Sequence, residues 1–199
     1  MIRPVELIDA PVLFELIDKN RARLREWLPW LDMSKHEQDT RFFIEFASKA
    51  RLNGQRFDAV MIHEGNIVGM LGYNKIDRQA SVGAIGYWLD EAHTGKGILS
   101  KCLVELIDVG FYNLGLETLE IRASPRNNRS CNVALKAGFE FRGTQKMESG
   151  FMTITRILIF MHSLFLNIEM KPNQAQQRMT TLVTDRAPSS TLRANQVRR

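Results

Sequence analysis

The stretch from Ser81 to Gly115 constrains the fold of this chain more than any other. SVGAIGYWLD carries Val82, Ile85, Tyr87, Trp88 and Leu89 without a helical period, and EAHTGKG is a short turn. ILSKCLVELIDVGFYNLG then sets Ile98, Leu99, Cys102, Leu103, Leu106 and Ile107 at three- and four-residue spacing. The pattern predicts a strand, a tight turn and a helix, in that order.

The turn is where the chemistry gathers. Gly95 and Gly97 bracket Lys96 where the helix should begin, and the first N–H groups of a helix have no carbonyl partner of their own. With the positive end of the helix dipole they form an anion site, and glycines let a ligand come close to the backbone. The same letters also serve a plain tight turn, and both readings stand at this point. Two familiar phosphate motifs are excluded or weakened. A Walker A loop needs Ser or Thr after Gly-Lys and Gly six residues before the Lys, where this chain has Gly97 and Asp90. A dinucleotide fingerprint needs Gly or Ala where Ser100 stands and an acidic residue ending the next strand, which here ends in Ser124.

A chain of 199 residues, 44% of them hydrophobic, is long enough for one well-buried core and short for two. Its net charge of +5 invites a nucleic-acid reading, but residues 166–199 hold Lys171, Arg178, Arg186, Arg193, Arg198 and Arg199 against Glu169 and Asp185. The tail thus carries most of the excess, and a basic tail is weaker evidence for direct nucleic-acid binding than a basic face. Residues 167–199, rich in Gln, Asn, Ser, Thr and Arg, read as a disordered polar segment after a domain spanning 1–166. Targeting or RNA binding by this tail is left open. Cys102 and Cys131 lack metal-ligand spacing and suggest neither a disulfide framework nor a metal site, so a cytoplasmic, reducing compartment is expected. Met1, Arg3, Pro4, Glu6 and Asp9 do not read as a secretory signal. ILIFMHSLFL, from Ile157 to Leu166, is too short for a membrane span and reads as a buried strand.

Taken in order, the chain predicts a short strand over Ile2 to Leu7 and then a helix capped by Asp9 that carries Val12, Leu13, Leu16, Ile17 and Leu24. Pro29 stops it, and Trp27 and Trp30 at that corner fit either the core or the wall of a substrate pocket. A second helix, with Ser34 or Asp39 near its start and Phe42, Phe43, Ile44, Phe46 and Ala47 as its apolar content, should end near Asn53-Gly54. FDAVMIH and IVGMLGYNKID read as an antiparallel pair around Glu64-Gly65-Asn66. The third strand of this meander leads into the glycine turn. After the central helix, LETLEIRAS should lie parallel to its predecessor. Asn127 or Asn128 then caps a helix that Gly138 stops, and GFEFRGTQKME pairs with Thr153 to Leu166.

This order, with RPVELIDA, LREWLPWL, GYWLDEAHTGKGI and SPRNNRSCNVALKAGFEFRG, resembles the GNAT N-acetyltransferase superfamily over Ile2 to Leu166, and within it the RimJ/RimL branch. The resemblance implies a mixed α/β fold. Its mostly antiparallel sheet has six to seven strands, with a parallel central pair splayed to hold CoA, and about four helices accompany it. It also implies acetyl transfer from acetyl-CoA to a primary amine, above all the N-terminal α-amine of a ribosomal protein. Small-molecule amine acetylation and non-catalytic acyl-CoA binding are the alternatives. Exposed edges of such a sheet allow a homodimer.

By resemblance, Gly95, Lys96, Gly97, Ile98 and Leu99 present amides to the pyrophosphate, and backbone groups of Tyr87, Trp88 and Leu89 pair with the pantetheine arm. Asn127 holds the pantetheine, Ser130 protonates the departing thiolate, and Glu148 is the general base, with His63 and His93 as other candidates. Lys96 or Lys101 adds charge beside the phosphates. Asn127 and Ser130 are also ordinary residues for a helix start. One departure stands in the turn: the superfamily has Gln or Arg three residues before the first glycine, and this chain has Ala92. Because the loop binds chiefly through its backbone, CoA binding is expected to survive that change.

Overall fold

Alternation in the strands and three-to-four periodicity in the helices sort the apolar side chains onto the two faces of one sheet. The structure, a computed structural model, describes residues 1–149 and 152–162, and side chains through Thr144. The strands are β1 (Ile2–Pro4), β2 (Phe57–His63), β3 (Asn66–Asp77), β4 (Val82–Leu89), β5 (Thr118–Ala123), β6 (Glu140–Ser149) and β7 (Met152–His162). The helices are α1 (Ala10–Lys19), α2 (Arg21–Arg25), α3 (Glu37–Leu52), α4 (Ile98–Asp108) and α5 (Asn128–Lys136). The seven strands lie in the order β1-β2-β3-β4-β5-β7-β6. All neighbours are antiparallel except β4 and β5, the pair joined through the α4 crossover. The tail expected over residues 167–199 lies outside the described residues.

One core cluster joins Met61, Leu71, Tyr73 and Ile85 of the sheet to Leu103 and Leu106 of α4 and Ala134 of α5. The other joins Val60, Met70 and Trp88 to Leu13 of α1, Leu24 of α2 and Ile44 of α3. Each large side chain buried this way contributes about 1.5–3 kcal/mol. Tyr73 is fully buried, and its hydroxyl donates to the Leu106 carbonyl at 2.8 Å. That bond meets the polar demand of a phenol which also carries the apolar packing between β3 and α4.

Among the described residues five α-helices form where about four were expected, because the first one breaks at Asn20. There the backbone leaves helical geometry (φ −101°, ψ 6°), and the side-chain amide turns inward to donate to the Leu16 carbonyl at 2.8 Å and to the Asp90 carboxylate at 2.8 Å. Asp9 stands at the expected start of α1 but does not cap it. Its carboxylate is buried, holding both guanidinium nitrogens of Arg3 at 2.7 Å and accepting from the Glu6 amide at 2.9 Å. α3 begins at Glu37, with Asp39 accepting from the amides of Lys35 and His36, both at 2.8 Å. Its buried face is Thr40, Ile44, Ala47 and Ala50, so Phe42 and Phe46 point outward. The Arg56 guanidinium lies 5.7 Å from the Phe43 ring and 5.6 Å from that of Phe46. Trp27 and Trp30 are half-buried, and Trp30 packs on the α1–α3 side of the sheet.

Candidate active site

β4 and β5 pair only from Val82 opposite Thr118 to Ile85 opposite Ile121. Beyond that point Tyr87, Trp88 and Leu89 pair with β3 alone, while Arg122 and Ala123 pair with β7 alone. The sheet therefore opens into a gap along the last residues of β4. The Asp90 amide donates to the Val68 carbonyl at 2.8 Å, which sets the parity of the ladder. By the alternation of an antiparallel pair, Trp88 turns its backbone toward Met70, while Tyr87 and Leu89 turn theirs toward the gap. The Leu89 carbonyl there accepts from the Arg23 guanidinium at 2.5 Å. The Trp88 side chain is buried on the α1–α3 side.

The chain leaves β4 through a single 3-10 turn, Glu91–His93, and enters α4 through two glycines of positive φ, Gly95 at +77° and Gly97 at +75°. L side chains rarely adopt that geometry, so glycine is the residue this entry needs. A Cβ on either would meet no atom within 4 Å, so the space in front of the turn is open. Among the described residues the amides of 95–100 find no acceptor. The first helical amide that does is that of Lys101, which donates to the Gly97 carbonyl at 3.1 Å. Lys96 and Lys101 are exposed, Ile98 is buried beneath the turn, and Leu99 is half-buried. This run of six free N–H groups at the N-terminus of a helix is suited to a phosphate or diphosphate. His93 is engaged elsewhere, with Nδ1 2.9 Å from the Asp90 carboxylate and its ring centroid 6.0 Å from that of His63.

Across the gap, Asn127 caps α5, its side-chain oxygen accepting from the Ser130 amide at 3.0 Å. The Tyr87 hydroxyl donates to the Ser130 carbonyl at 3.0 Å, which ties β4 to the start of α5 beside the opening. Burial pushes the Tyr87 phenol up to about 12, so it stays a neutral donor. The Ser130 hydroxyl is half-exposed and stands beside the Tyr87 phenol, where its hydrogen bond partly offsets the effect of burial. On the opposite face of the sheet the β3–β4 register slips between Tyr73 and Lys75, which leaves Asn74 as the bulged residue. Its amide lies against Gly86, where a Cβ would overlap it. Gly86 is the first β4 residue past the end of the β5 pairing. Sequence reading missed Asn74 because only the register slip brings it there.

Of the expected site residues, Tyr87, Leu89, Gly95, Lys96, Gly97, Ile98, Leu99, Asn127 and Ser130 thus surround one opening. Glu148 lies opposite Thr153 in the β6–β7 pair, and its side chain lies outside the described residues. No three His, Cys, Asp or Glu side chains among the described residues group as metal ligands would. A cavity of about 390 Å³ lined by Asp18, Arg21, Arg25, Leu31, Asp32 and Lys35 shares no residue with the opening, which is a cleft made by strand separation rather than an enclosed pocket.

Comparison with known proteins gives this geometry a family. Residues 1–140 match the family model described as "Acetyltransferase (GNAT) domain". The ribosomal-protein-serine acetyltransferase of Escherichia coli K12 is 32% identical over 134 residues, covering 67% of this chain and 75% of that protein. An uncharacterised N-acetyltransferase, p20, of Bacillus licheniformis is 31% identical over 145 residues, covering 71% and 79%. In fold, the chain is similar to Mycobacterium smegmatis RimJ solved in complex with a CoA disulfide, with a TM-score of 0.78, 22% identity, and 91% of this chain and 88% of that one covered. With a family model spanning most of its described length and relatives above 30% identity, the chain belongs to the GNAT acetyltransferase family.

Proposed function

We propose that this acetyltransferase moves an acetyl group from acetyl-CoA to the N-terminal α-amine of a protein, with ribosomal proteins as the substrate class, and that it acts in the cytoplasm through a domain spanning residues 1–166. The observation that carries the reading is the row of free amides at residues 95–100 beside a gap between parallel strands. The turn fits a diphosphate because its donors are free and the space in front of it is empty. Gly95, Lys96, Gly97, Ile98 and Leu99 supply those donors. The backbone groups of Tyr87 and Leu89 face the gap, where an extended arm can add to the sheet edge, and Asn127 stands on its other side.

Acetyl-CoA supplies an activated acyl group: a C–N bond to the amine forms, the C–S bond breaks, and the thiolate needs a proton. Ser130 is the group we assign to give that proton. Its hydroxyl is half-exposed beside the Tyr87 phenol, and its place in the first turn of α5 favours developing negative charge. Glu148 is assigned to take the proton of the amine, directly or through water. We place the approach of the amine on the face where Asn74 covers Gly86, opposite the Ser130 side of the sheet. Holding the two reactants at one opening supplies a large share of the acceleration. The family relation and the relatives named as ribosomal-protein acetyltransferases favour this reading over a non-catalytic CoA binder or a small-amine enzyme. β1, at the outer edge of the sheet, is the place where a second copy would pair.

The test is release of CoA thiol from acetyl-CoA with peptides bearing N-terminal Ser or Ala, set against a panel of small amines. Rapid release with peptides alone supports the proposal. Release with small amines alone would move the substrate class, and acetyl-CoA binding without turnover of any amine would make the protein a binder.

A further inference from the structure

The most heavily bonded buried carboxylate near the opening belongs to a residue that sequence reading passed over. Asp90 directly follows β4, and its side chain is 1% exposed. It accepts from Asn20 Nδ2 at 2.8 Å, bonds His93 Nδ1 at 2.9 Å and lies 3.5 Å from Lys19 Nζ. Asn20 in turn accepts from the Glu91 amide at 2.9 Å, and the His93 amide donates to the Asp90 carbonyl at 3.1 Å. The 3-10 turn Glu91–His93 is thereby held at its start by Asn20 and at its end by Asp90. After Thr94, whose amide donates to the Glu91 carbonyl at 3.1 Å, no hydrogen bond among the described residues fixes the chain until the Gly97 carbonyl accepts from the Lys101 amide at 3.1 Å.

We propose that Asp90 is a positioning residue for the glycine turn. The amides of 95–97 follow directly on a turn that the Asp90–His93–Asn20 network holds at its start and end, with the Thr94–Glu91 bond as the last link before them. The network also reaches the break between α1 and α2, so the element flanking the Leu89 end of the gap and the diphosphate turn share one anchor. This role rests on the reading of residues 95–100 as the diphosphate site. A carboxylate that merely stabilised the fold would, when altered, weaken every activity together. One that aims the amides affects only a donor carrying a diphosphate.

S-acetylpantetheine, which has the same thioester and arm but no diphosphate, separates the two. Asp90→Asn keeps the shape and removes the charge. It should raise the KM for acetyl-CoA about tenfold, the lower end for hydrogen bonds to a charged group, and leave kcat within about twofold. The kcat/KM for S-acetylpantetheine should change by less than about twofold. His93→Ala, which removes one partner and leaves the buried carboxylate, should shift the KM for acetyl-CoA the same way by about threefold, and it decides the matter should Asp90→Asn not fold. Equal losses with both donors, or no loss with acetyl-CoA, overturn the role of Asp90. A wild-type enzyme that used both donors equally well would instead defeat the diphosphate reading of the turn, and this proposal with it.

Discussion

Gly97 is the residue at which backbone geometry and chemistry coincide. Its φ of +75° admits α4 at the angle that leaves six amides free, and nothing stands within 4 Å of the position of a side chain there. Gly97→Trp should therefore fold, at a conformational cost of about 1–2 kcal/mol, while its ring fills the space the ligand needs. Calorimetric titration should find no acetyl-CoA binding, with the far-UV circular dichroism unchanged; undiminished binding would remove the turn from the site. Ser130 offers a complementary case. Its amide and carbonyl serve the Asn127 cap and Tyr87, and its half-exposed hydroxyl stands beside the Tyr87 phenol. Ser130→Ala should lower kcat by about 10²-fold, the scale of one general acid, without changing the Kd for acetyl-CoA. Acetylation at the wild-type rate would rule out the proton-donor role.

Among the elements, α4 has the most demanding position, because it must carry the turn and also fill the sheet face between β1 and β5. Leu103 and Leu106 are fully buried, and the Leu106 carbonyl receives the Tyr73 hydroxyl. Leu103→Ala should cost about 2–5 kcal/mol, the usual range for a leucine truncated in a packed core. Urea unfolding measures this directly, and a loss below about 1 kcal/mol would show that the α4 seat can collapse around the missing atoms. Local signals were enough to predict α4 and β2, since period and turn residues define both from within. The break between α1 and α2 was not legible. Its cause is the bond from Asn20 to Asp90, seventy residues away in sequence, and an asparagine inside an amphipathic run carries no mark of such a partner. The same holds for α3, where five apolar residues in the span 42–47 do not say that Phe42 and Phe46 face outward.

For the molecule as a whole, buried carboxylates set the response to acid. Burial alone would raise the Asp90 carboxyl, but the hydrogen bonds from Asn20 and His93 and the Lys19 charge outweigh it and hold it below the ordinary range. Asp9 behaves alike, with burial outweighed by the Arg3 hydrogen bonds, the Glu6 amide and the Arg3 charge. The unfolded chain then binds protons more readily than the folded one. The contribution is whole above the unfolded carboxylate value of about 3.9 and is lost as pH falls through the lowered folded values. Urea midpoints should be flat from pH 7 to about pH 5 and fall steeply below about pH 4, with a shallower fall in Asp9→Asn. An unchanged slope in that variant would show that other groups govern acid unfolding.

The sequence by itself determined the order of the strands and, apart from the α1–α2 break, of the helices along the chain, the glycine entry into α4, the parallel β4–β5 crossover and a cap at Asn127 or Asn128, because each follows from spacing or from the φ preference of one residue. Only the tertiary structure decided that β7 lies between β5 and β6, that the β4–β5 pairing ends at Ile85, that Asn74 covers Gly86 and that Asp90 anchors the turn. These depend on which distant groups meet once the strands have paired. Such meetings are fixed by packing and hydrogen-bond geometry in three dimensions, which a one-dimensional pattern does not encode.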